Sequence, residues 1–106
     1  MIAELQRFIE SYNQKKQMAG LFRSKRPLIV DLGEWSLEIS GKSAHLSREL
    51  PKAEADFIMV KGSPEALKEL LYGKTGLRVL AAQGFLIVKG SFRTVLLLES
   101  IFLLSK

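Results

Sequence analysis

The chain has no cysteine and a single histidine in 106 residues. The first absence excludes a disulfide framework, a thiolate nucleophile and thiol ligands for zinc or iron–sulfur. The second excludes a histidine-rich metal site, so no metal and no cofactor is expected. No run approaches the roughly 18 apolar residues that span a bilayer. Met1-Ile2-Ala3-Glu4 lacks the charged-then-apolar order of a signal peptide. A soluble, cytoplasmic protein is the expectation.

Catalytic signatures are missing as well. Gly41-Lys42-Ser43 and Gly73-Lys74-Thr75 look like the ends of phosphate-binding loops, but such a loop needs a glycine five residues earlier so that backbone amides wrap the phosphates. Those positions are Ser36 and Lys68. No Gly-x-Ser-x-Gly occurs, and His45 lies on a strand among serines, which suits a surface residue better than a general base. Glu34 and Glu38 share a strand face opposite its apolar residues, where solvation explains them. The expectation is therefore not an enzyme. Aromatic residues are not interleaved with basic ones, so nucleic acid is not the expected partner.

Apolar residues make up 47% of the chain and charged residues 25%, a globular composition. The length fits one domain, residues 1–106. The net charge of +5 is concentrated locally: residues 1–26 hold Arg7, Lys15, Lys16, Arg23, Lys25 and Arg26 against Glu4 and Glu10, a net of +4. This basic N-terminal helix and linker is a candidate for peripheral contact with an anionic membrane, set against the plain reading of a solvated helix face. From Val95 to Leu104 only Glu99 and Ser100 are polar.

Periodicity predicts a helix over 2–19, with Leu5, Phe8, Ile9 and Tyr12 on its apolar side and Gly20 closing it. Residues 27–50 read as a three-stranded meander: Leu28, Val30 and Leu32 share one face, and Trp35, Leu37 and Ile39 alternate with Ser36 and Glu38. Residues 55–106 read as strand, helix, helix, strand, helix. Asp56–Lys61 is the fourth strand, Ser63 caps a helix ending near Tyr72, Leu77–Ala82 is a short helix, Phe85–Lys89 is the fifth strand, and Ser91 caps a last helix.

Three segments carry a resemblance. Ala55-Asp56-Phe57-Ile58-Met59-Val60-Lys61-Gly62-Ser63-Pro64-Glu65 resembles the strand-into-helix segment of the sterol carrier protein type 2 family. Leu70-Leu71-Tyr72-Gly73-Lys74 is similar to its helix end, and Ala81-Ala82-Gln83-Gly84-Phe85-Leu86-Ile87-Val88-Lys89-Gly90 to its Gln-Gly strand and closing glycine. Their order and spacing agree from Ala55 to Leu104; before that only the element order does. Ser91 stands where the family often has Asp or Asn, and it caps a helix nearly as well.

The resemblance implies an α+β fold: a five-stranded, mostly antiparallel sheet with helices packed on one face, and an apolar tunnel between sheet and helices. It also implies non-covalent binding or carriage of a lipid-like ligand, whether fatty acid, acyl-CoA, sterol-like molecule or isoprenoid quinone. Strand alternation and the apolar last helix place Trp35, Leu37, Phe57, Met59, Leu80, Leu86, Val88, Leu97 and Ile101 around that ligand. Gln83, matching the family's Gln at the tunnel, would be the polar contact. With Phe57 and Met59 turned inward, Ile58, Val60, Phe85 and Ile87 face outward with Ile29, an apolar patch suited either to a two-fold homodimer or to cover by the N-terminal helix through Leu5, Phe8, Ile9 and Tyr12. The alternatives are a ligand-free interaction or dimerisation module serving a larger enzyme, and a basic binder of membrane surface or RNA.

Overall fold

Period-two burial, serine caps and short polar turns set the element boundaries. The computed structural model describes residues 2–15, 26–47 and 55–105. The elements are α1 (Ile2–Gln14), β1 (Leu28–Asp31), β2 (Ser36–Ile39), β3 (Ala44–Ser47), β4 (Asp56–Gly62), α2 (Pro64–Leu71), α3 (Leu77–Ala82), β5 (Leu86–Lys89) and α4 (Phe92–Leu104). The strands form one sheet in the order β3-β2-β1-β4-β5. Every neighbouring pair is antiparallel except β1 and β4, which run parallel.

Local chemistry explains the connections. Between β1 and β2 the Asp31 carboxylate accepts from the Gly33 amide at 2.9 Å. Between β2 and β3 the Ser40 hydroxyl accepts from the amides of Lys42 and Ser43, each at 3.2 Å. Gly41-Lys42-Ser43 is therefore a hairpin turn. Gly73-Lys74-Thr75 ends α2: Gly73 has φ +69°, and its amide and that of Lys74 bond back to Leu70 and Glu69 carbonyls at 3.0 Å. Ser63 and Ser91 cap α2 and α4 as their sequence positions require, through the amides of Ala66 and Thr94.

One face of the sheet carries the core. Leu28, Val30, Leu37, Ile39, Ile58, Val60 and Leu86 meet Leu5, Phe8 and Tyr12 of α1, Leu67 and Leu70 of α2, Leu77 and Leu80 of α3, and Leu98, Ile101 and Phe102 of α4. All four helices thus lie on the same side. α1 does not cross to the other face: Phe8 packs on Phe102 with ring centroids 5.0 Å apart. The Tyr12 hydroxyl donates to the Ser40 carbonyl, and that of Ser11 to the Ser105 carbonyl. Asn13 closes the sheet edge, accepting from the Ala44 amide at 2.7 Å and donating to its carbonyl at 3.1 Å. The helix ends at Gln14 and Lys15 already lies outside it, short of the expected end at 19; positions 16–19 lie outside the described residues.

The facing of β4 is the reverse of the sequence expectation. Val30 pairs with Ile58, and Val60 with Val88, so Ile58 and Val60 point to the helices and are fully buried. Phe57 and Met59, in register with Ile29 and Asp31, point to the opposite face. Gly62 locks this arrangement. A Cβ there would stand 2.4 Å from Leu86 Cδ2 and 2.5 Å from the Phe85 carbonyl oxygen, so only glycine lets β4 and β5 approach at this register.

The apolar outer patch expected for a dimer is not formed. Ile58 and Val60 belong to the core, and Ile29, although it points outward, is 3% exposed. What stays open on that face is Phe57, 40% exposed, and Ile87, 61% exposed, with exposed Lys61 and Lys89 among them. Phe85 precedes β5 and is also exposed. The polar end of this face is as expected: His45 pairs across strands with Glu38 at 3.0 Å.

Candidate apolar binding site

The layer between sheet and helices is built from short strands whose alternate residues point one way and helices whose apolar stripes meet them. Among the described residues the buried polar ones are Thr94 and Ser105. Of the residues expected around a ligand, Leu37, Leu80, Leu86 and Ile101 lie wholly inside this layer, and Trp35, Val88 and Leu97 pack against it while remaining partly exposed. Seven side chains from β2, its preceding turn, β5, α3 and α4 are thus brought together. Phe57 and Met59 are not; they lie on the far side of the sheet, with Ile58 and Val60 in their place.

Gln83 is the residue after α3, at the corner leading into β5. Its amide bonds to the Val79 carbonyl at 3.0 Å, and the residue is exposed, so it stands outside the layer. Ser105, which sequence reasoning passed over, lies inside. It follows Thr94, Leu98 and Ile101 on the buried side of α4, and its hydroxyl is buried without a hydrogen-bond partner. The signal was available, since 94, 98, 101 and 105 are spaced at helical intervals.

Tyr12 is completely buried beneath α1, and burial pushes its hydroxyl up to about 12. Glu99 of α4 accepts from Arg78 Nε and Nη2 at 3.0 and 2.8 Å and from the Arg78 amide at 2.9 Å. The Arg78 hydrogen bonds hold its carboxyl below the usual range. Glu99 also supplies α3 with the N-terminal acceptor that Gly76 cannot. Among the described residues no three His, Asp or Glu side chains converge as a metal site would require, and no helix is long and apolar enough to cross a membrane.

Of the basic residues in 1–26, three are described and each makes a local contact. The Arg7 guanidinium lies 4.7 Å above the Tyr72 ring. Lys15 Nζ donates to the Leu104 carbonyl at 2.6 Å, and Arg26 pairs with Asp56 at 3.6 Å. Lys16, Arg23 and Lys25 lie outside the described residues.

No family model matches the chain, and no curated protein matches it in sequence. Solved structures do resemble it in fold. A ubiquinone synthesis protein, UbiJ-SCP2, superposes with a TM-score of 0.66 at 19% identity, over 99% of this chain and 92% of its own. Sterol carrier protein-2 like-3 of Aedes aegypti gives 0.62 at 16% identity, over 94% and 93%. Sterol carrier protein 2 of Yarrowia lipolytica, in its apo form, gives 0.58 at 22% identity, over 92% and 84%. At these identities the likeness concerns architecture, and it extends over nearly the whole length on both sides. The chain has the sterol carrier protein type 2-like fold.

Proposed function

We propose that this protein binds an apolar, lipid-like molecule between its sheet and its helices and releases it unchanged, as a cytoplasmic carrier. The observation that carries this reading is the apolar layer itself, with side chains from five parts of the chain and a rim at Trp35, Val88 and Leu97 that solvent reaches. The likeness to structures named as sterol carriers and as a ubiquinone synthesis protein supports it. The contact set is Trp35, Leu37, Leu80, Leu86, Val88, Leu97 and Ile101. A ligand oxygen would meet the Ser105 hydroxyl within the layer or Gln83 at its edge. A buried hydroxyl left unbonded costs about 1–3 kcal/mol, so an oxygen-bearing ligand is favoured over a pure hydrocarbon.

Trp35, the chain's only tryptophan, reports on occupancy. Fatty acid, acyl-CoA, sterol or isoprenoid quinone is expected to shift its emission and to displace a fluorescent fatty acid with a Kd below about 100 μM, about −5.5 kcal/mol. Failure of all four classes to bind in that range would overturn the proposal.

A further inference from the structure

The outward side of α4 is apolar where the solvent face of a helix is ordinarily polar. Phe92, Leu96 and Leu103 fall within about 40° of one another at about 100° per residue. Phe92 is 69% and Leu103 40% exposed, and Leu96, partly exposed, packs neither in the core nor at its rim. Glu99, the one acid in the α4 sequence, lies on the same side, but Arg78 holds and neutralises it. Cations stand at both ends of the stripe: exposed Arg93 in the first turn, and the Lys15 ammonium at the Leu104 carbonyl.

We infer that this face of α4 docks on an anionic lipid surface. An apolar stripe between cationic ends suits a bilayer boundary, where Phe92, Leu96 and Leu103 enter the headgroup region and exposed Arg93 meets phosphate oxygens. A second copy of the chain suits it less well. Two-fold packing along α4 brings Arg93 against Arg93 if the helices run parallel, and Arg93 against Lys15 if they run antiparallel. The inference concerns the outer side of α4, whereas the proposed ligand lies on its inner side, so it holds whether or not the layer takes a ligand.

The test is co-sedimentation of the full chain with vesicles of phosphatidylcholine containing about 30% phosphatidylglycerol, at about 0.1 M salt. The wild type is expected to bind these and to bind pure phosphatidylcholine more weakly. Phe92→Ser and Leu103→Ser, made singly and together, truncate exposed side chains, and an unchanged melting curve certifies the fold. The pair is expected to lose at least about tenfold in vesicle affinity, and Arg93→Gln to lower it in a way that added salt also does. Three results would overturn the inference: no wild-type binding to the anionic vesicles, wild-type binding by the folded double variant, or a dimer that the double variant splits in the absence of vesicle binding. Ligand displacement measured on the same variants stays unchanged, which separates this test from that of the carrier reading.

Discussion

Single residues hold this fold at two points, and at the first of them only glycine fits. Gly62 lies so close to Leu86 and the Phe85 carbonyl that an added methyl must push β5 away. Gly62→Ala is expected to cost about 1–3 kcal/mol, read as a fall in the urea midpoint at unchanged slope. Glu99 joins α4 to the start of α3 through Arg78. Its folded carboxyl is held below the ordinary 4.5, so its contribution is complete above that value and disappears as pH falls through the lowered one. Glu99→Gln should lower stability by about 1 kcal/mol at neutral pH, the upper end for a partly solvated ion pair. The gap to wild type should close on acidification below about pH 4.5. A gap that widens in acid would show that the carboxylate is not the stabilising form.

At the scale of elements, α4 has two unequal sides. Leu98, Ile101 and Phe102 are completely buried, with Val95 and Leu97 packed beside them, whereas Leu103 and Leu104 remain exposed. Even the three buried side chains represent about 5–9 kcal/mol at roughly 1.5–3 kcal/mol each, comparable with the whole stability of a small domain. A chain ending at Gly90 should therefore show no cooperative thermal transition. A transition near the wild-type temperature would make α4 a peripheral element. α1 depends on the same partner, through Phe8 on Phe102 and Ser11 on Ser105.

For the whole molecule, the corrected facing of β4 bears on association. Phe57 and Ile87 are separated on the outer sheet face by charged and half-buried neighbours, with Lys61 opposite Ile87 and Lys89 opposite Met59. A patch of this kind falls short of the continuous apolar area that marks a stable interface. The protein is expected to sediment as a monomer at about 100 μM, a concentration at which an interface worth about −5.5 kcal/mol would already pair half the chains. A dimer split by Ile87→Glu with the fold intact would reverse this and restore the sheet face as an interface.

The elements themselves were legible in the residues because their determinants are local. Ser63 and Ser91 cap the amides three residues on, Gly73 ends α2, and β2 alternates cleanly between apolar and polar. β4 offered no such alternation. Phe57-Ile58-Met59-Val60 is apolar throughout, and its flanks disagree: Lys61 shares parity with Phe57 and Met59, Asp56 with Ile58 and Val60. Only pairing with Val30 on one side and Val88 on the other decided which two residues are buried, because a strand's facing is a property of its neighbours and not of its own composition. The same holds for α1, whose apolar stripe fits any apolar surface until Phe102, Ser40 and Ala44 select one. The sequence by itself determined which segments are helices and which are strands, and where Ser63 and Ser91 start α2 and α4. The tertiary structure decided which apolar sides meet, and so placed Ile58, Val60 and Ser105 inside and left Phe57, Met59 and Gln83 outside.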